Sequence, residues 1–157
     1  MRSACLLLMT LAALGCGSSA YDQLAEARQG LADATYDDAL AAAEAGLEAG
    51  GADEATAWGL ELVKLEALAR AGHGEPALVQ LNALVAQHPG RVPVTQYSAT
   101  AHQLRAAGAK SDAIQVLDAG IQRFPDDAML VRLIGAADSA GMESAELEML
   151  RSLGYIE

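Results

Sequence analysis

Apolar positions along this chain recur in steps of three and four, and they do so in blocks that repeat one another. Three strings align without gaps: TYDDALAAAEAGLEAGG over 35–51, HGEPALVQLNALVAQHP over 73–89 and AKSDAIQVLDAGIQRFP over 109–125. Ala39, Ala77 and Ala113 coincide, followed by Leu40, Leu78 and Ile114. Ala43, Leu81 and Leu117 come four positions after the alanines, and Leu47, Val85 and Ile121 eight positions after. Positions i, i+4 and i+8 share one face of an α-helix, so each string predicts a helix with a narrow apolar stripe carrying a small residue. The alanines lie 38 and 36 positions apart, a period that belongs to stacked helical units.

The segments between these strings carry weaker stripes of the same period. Val94, Tyr97, Ala101 and Leu104 run up to Gly108; Leu130, Leu133, Ile134 and Ala137 run up to Gly141. A longer helix is expected from about Asp53 to Ala71, with Trp58, Leu62, Leu65 and Leu68 on one face. Tyr21, Leu24, Ala27 and Leu31 form a degenerate first stripe, and LEMLRSLGYIE at the end reads as a short capping helix closed by Gly154. Runs of β-branched and aromatic residues typical of strands are almost absent, so the expected class is all-α.

Small residues also punctuate the units. Gly72, Ala77 and Pro89 keep the same spacing as Gly108, Ala113 and Pro125, while the first unit has Ala34, Ala39 and Gly51 at those places. This resembles the tetratricopeptide repeat. There a glycine ends the first helix, an alanine sits at the tightest helix–helix contact and a proline closes the unit. The resemblance implies a short α-solenoid of about four helix-turn-helix units over 21–157, curved into a right-handed arc. It also implies that first helices line a concave face that binds a protein or peptide without any cofactor. Ser98, His102 and Arg105 in the third unit, and Val131 and Asp138 in the fourth, are the partner-binding positions it suggests. The same residues would equally suit a merely solvated side.

Composition sharpens this picture. Hydrophobic residues make up 52% of the 157 positions but aromatics only 4%, which suits helices packed closely through alanine. The net charge is −11. Such a surface repels phosphate backbones and anionic lipid, so neither nucleic acid nor electrostatic membrane docking is expected.

The N-terminus supplies an address. MRSACLLLMTLAALGCGSSAYD has one arginine, an apolar stretch from about Ala4 to Leu14, then small residues. The stretch is shorter than the ~20 residues a spanning helix needs and fits an export signal. Ala13-Leu14-Gly15-Cys16 resembles a bacterial lipobox, with Ala13 standing where leucine is usual. That resemblance implies a signal peptide over 1–15, acylation of Cys16, and a short tether over 16–20. Gly17, in place of an aspartate, points to the outer membrane facing the periplasm. Removing 1–15 deletes Arg2 and Cys5 but no acid. That leaves 9 basic side chains against 21 acidic ones, a net −12, and Cys16 as the last cysteine. The alternative is cleavage after Ser18-Ser19-Ala20, which would release a soluble periplasmic or secreted protein.

Reactive chemistry finds no candidates. His73, His88 and His102 are too far apart for a local ligand pair, so no metal site is expected. Asp37-Asp38 and Asp126-Asp127 stand at expected helix starts, where carboxylates satisfy free N–H groups. Glu66 and Arg70 make an i,i+4 surface pair. Trp58 suits core packing better than recognition. No phosphate loop, zinc-protease helix or nucleophile elbow occurs. The expectation is therefore a non-enzymatic scaffold or adaptor of the cell envelope. Resemblance to other repeat lipoproteins suggests a role in envelope assembly, with an enzyme accessory as the remotest alternative.

Overall fold

The computed structural model describes residues 19–128, 130, 132, 148 and 150–153. Six helices lie wholly within these residues and follow one another in order: α1 (Ala20–Ala32), α2 (Tyr36–Ala49), α3 (Glu54–Arg70), α4 (Gly74–Gln87), α5 (Val94–Ala106) and α6 (Lys110–Arg123). No strand occurs among the described residues. Each aligned string is the second helix of a hairpin: α1 packs on α2, α3 on α4 and α5 on α6. The first helices α1, α3 and α5 also touch in sequence, and α4 touches α6, so the hairpins stack side by side. The chain is an all-α helical repeat.

One turn is used three times. After α3, the Gly72 N–H donates to the Ala69 carbonyl and the His73 N–H to the Leu68 carbonyl, with Gly72 at φ +79°. After α5, Gly108 and Ala109 donate to Arg105 and Leu104 in the same pattern, with Gly108 at φ +89°. This paired closure satisfies orphan carbonyls and needs a left-handed residue, which glycine provides without a Cβ clash. After α1 the same bonds run from Ala34 to Leu31 and from Thr35 to Gly30, but the left-handed residue is Ala34 at φ +59°. The first hairpin keeps the turn and carries the strain.

The aligned alanines do what their spacing predicts. Ala39 and Ala77 are fully buried and Ala113 is 4% exposed. Between α1 and α2 the backbones themselves come close, and a Cβ added to Gly30 would stand 3.0 Å from the Ala39 backbone. In the third hairpin a Cβ on Gly120 would stand 3.1 Å from Tyr97, so the small residue there admits a large neighbour.

Two hydrophobic cores result. The first gathers Leu24, Ala27, Ala39, Ala43, Leu60 and Val63 among others, from α1, α2 and one side of α3. The second gathers Leu65, Leu68, Leu81, Tyr97, Leu104 and Leu117 among others. α3 serves both because it packs on α1, α2, α4 and α5. It therefore buries Leu60, Val63 and Ala67 in addition to the Leu65–Leu68 side that its stripe predicts.

Helix starts differ from expectation in two places. α1 begins at Ala20, one position before the expected boundary, because Ser19 caps it in a reciprocal box with Asp22. Asp37 and Asp38 lie inside the first turn of α2, where they suit the positive end of the helix dipole, while the Thr35 hydroxyl at the N-cap makes no capping bond and donates back to the Gly30 carbonyl at 3.4 Å. Asp127, by contrast, accepts the Leu130 N–H at 3.0 Å, as a capping aspartate should. Expected features at Cys16, Val131, Asp138, Gly141 and Gly154 lie outside the described residues.

Candidate binding face

α5 is positioned by Pro93, which cannot donate a helix hydrogen bond and stands at its N-cap, and by the Gly108 turn at its end. Tyr97, Thr100, Ala101 and Leu104 are buried. Burial pushes the Tyr97 phenol above its ordinary pKa, with Arg123 opposing, so the ring stays a neutral packing group against the edge of Phe124, 5.9 Å away. Turning outward, Ser98, His102 and Arg105 follow one another at i, i+4 and i+7 and share a stripe. His102 and Arg105 are exposed and Ser98 half-buried. The Ser98 hydroxyl donates to the Thr95 carbonyl at 3.0 Å, which fixes its direction and leaves its oxygen able to accept.

Charge sets this helix apart. The thirteen residues of α5 contain Arg105 and no acid, whereas α1, α2, α3, α4 and α6 all carry carboxylates. On a chain of net −11, α5 is a local break in the negative field. Charges beyond a Debye length of about 8 Å are largely screened at physiological salt, so this local composition decides what a partner meets at close range.

A shallow depression of about 310 Å³ borders the stripe, lined by Tyr36, Arg70, His102, Gln103, Ala106 and Ala107. Arg70 is held there by Glu66 at 2.6 Å, the expected i,i+4 pair, and by the Leu31 carbonyl at 3.4 Å. His102 thus joins the stripe to the depression, while Ser98 and Arg105 do not line it. Tyr36, Arg70 and Gln103 come together only through the stacking of three helices, and no local motif announces them.

Trp58 is engaged by its own chain. It is half-buried against the second core, the Arg91 guanidinium lies 4.3 Å over its ring, and His88 meets it edge-on at 5.1 Å. Arg91 is held in turn by Glu54 at 2.7 Å. The ring packs against the core without being buried in it.

Among the described residues, no cluster of three or more His, Cys, Asp or Glu stands ready to hold a metal, and no helix is long and apolar enough to cross a membrane. No family model matches the chain, and neither a curated protein nor a solved structure matches it. What the fold defines is a class, the all-α helical repeat proteins.

Proposed function

We propose that this chain is a non-enzymatic, tetratricopeptide-like binding scaffold of the bacterial cell envelope, anchored through lipid on Cys16 at the periplasmic face of the outer membrane. It holds a protein or peptide along its first helices, through Ser98, His102 and Arg105 and, in the following unit, Val131 and Asp138. The observation that carries this reading is the outward stripe of α5, acid-free on an otherwise acidic chain and bordered by a depression that mixes Arg70, His102 and Gln103 with Tyr36 and two alanines. Groove shape and a few polar contacts are the usual basis of peptide recognition on helical surfaces.

Capture from the native envelope tests it. His102→Ala combined with Arg105→Glu is expected to lose the partner that the unaltered chain retains, and unchanged recovery counts against the face. The soluble alternative requires cleavage after Ala20. Against it stands the Ser19–Asp22 capping box and the burial of Ala20, since that cut would remove the cap and the first helical residue together. Labelled palmitate should enter the protein and vanish in Cys16→Ser.

A further inference from the structure

The end of the molecule that carries the N-terminus of α1 has its own surface character. Most of α1 sends its apolar residues inward, but Tyr21 stands 73% exposed, one of two large hydrophobic side chains left outside among the described residues. Beside it runs the α2–α3 turn, where Gly50 and Gly51 take φ of +69° and +71° and a Cβ on either would meet nothing within 4 Å. Tyr21, Ala49, Ala52 and these glycines border an open depression of about 580 Å³. The edge therefore sets small apolar groups and backbone around a single amphipathic ring, with Ser19, Asp53 and Thr56 as its polar members.

Chain length says what lies against it. Cys16 precedes the capping Ser19 by three positions, and three extended residues span at most about 11 Å. The headgroup layer of one leaflet is about 5–7 Å deep. Acyl chains on Cys16 would therefore hold the start of α1 in or directly against the headgroups. Tyrosine is enriched at that level because its ring is apolar and its hydroxyl wet.

We propose that the edge formed by Tyr21 and the Ala49–Ala52 turn is a lipid-contacting surface, with the Tyr21 ring seated among zwitterionic headgroups. The proposal rests on the Cys16 anchor put forward above. Zwitterionic rather than anionic lipid follows from the neighbouring carboxylates. Asp22 is held below its usual pKa by the Ser19 hydroxyl and N–H, and Asp53 by the Thr56 N–H, so both stay ionised and repel anionic headgroups.

The anchor provides its own test system. With residues 1–15 removed and the Cys16 thiol acylated, the protein has no free thiol, and an introduced cysteine is the sole site for a nitroxide label. Acylated protein purified from membranes is placed in phosphatidylcholine–phosphatidylethanolamine vesicles, and each label's relaxation by oxygen is compared with that by a water-soluble nickel chelate. Labels at Tyr21→Cys and Ala49→Cys should be oxygen-dominated. A label at Val79→Cys on α4, the other exposed large hydrophobic among the described residues, should be nickel-dominated. Adding Tyr21→Glu to Ala49→Cys should move that label toward nickel. If unaltered protein takes no label and both edge sites are as open to nickel as position 79, the anchor stands and the lipid contact is wrong. If unaltered protein takes label at Cys16, the anchor is wrong and the contact falls with it.

Discussion

The two cores of this molecule solve the same packing problem with opposite materials. Around α1 and α2 the buried positions are mostly alanine: Ala20, Ala27, Ala39, Ala42 and Ala43, with Gly30 and Gly46 pressed between neighbours. Around α4, α5 and α6 they are Leu81, Leu84, Leu104, Ile114 and Leu117, with Tyr97 inserted and Phe124 against it. An alanine seam lets two backbones approach and gains dispersion contacts, but each side chain removes little area from water. A leucine and tyrosine core removes much more and keeps the helices further apart. Each region should therefore fail in its own way: the first when anything is added, the second when anything is taken away.

The largest loss is expected from deletion in the second core. Leu104 is fully buried, and Leu104→Ala should lower stability by about 2–5 kcal/mol in urea unfolding; a smaller loss would mean that α5 can settle into the space. Addition in the first core comes next. Gly30→Ala would set a Cβ against the Ala39 backbone and should cost about 1–3 kcal/mol. If that variant is as stable as the parent, the seam is looser than its geometry.

Two substitutions should raise stability. The Thr100 hydroxyl is buried and has no hydrogen-bond partner, so Thr100→Val is expected to gain about 1 kcal/mol; a loss would reveal a bond that the hydroxyl makes in solution. Ala34→Gly should relieve the left-handed strain at φ +59° and gain about 0.5–1 kcal/mol. The same change made in reverse, Gly72→Ala, should destabilise. Equal effects at both turns would show that one closure serves both cores.

The smallest effect is a pH dependence confined to the first half of the chain. Asp22 and Asp53 have depressed folded pKa values because each accepts capping hydrogen bonds. Their contribution is present above the unfolded aspartate value of about 3.9 and is lost as pH falls through the folded values. Urea midpoints followed downward from pH 6 should decline in that acid window. Asp22→Asn with Asp53→Asn should flatten this part of the curve.

The helical class and the hairpin pairing could be read from the chain, because the stripe of Ala39, Ala77 and Ala113 and the paired Gly72 and Gly108 are local signals. The bounds of α3 were equally legible, with Asp53 capping its start and Ala71 its end. Its second buried side was not. A helix packed on four neighbours loses the polar face that makes periodicity visible, so Leu60, Val63 and Ala67 carry no contrast. Ala34 was visible only as a gap in the glycine pattern, since nothing in an alanine announces a positive φ. At the candidate face, Ser98, His102 and Arg105 were named only through the resemblance to the tetratricopeptide repeat. The partnership of His102 with Tyr36 and Arg70 depends on contacts between residues tens of positions apart. The Ser19 box was missed because the apolar stripe of α1 was counted from Tyr21, and the cap lies before it.

Trp58 also makes the molecule its own optical reporter. It is the single tryptophan of the chain, and it sits where the turn after α4 is clasped to α3 by Arg91. Emission from this ring should shift to the red when that clasp loosens. Slippage between the second and third hairpins could then be followed without a foreign dye and told apart from wholesale melting recorded by circular dichroism.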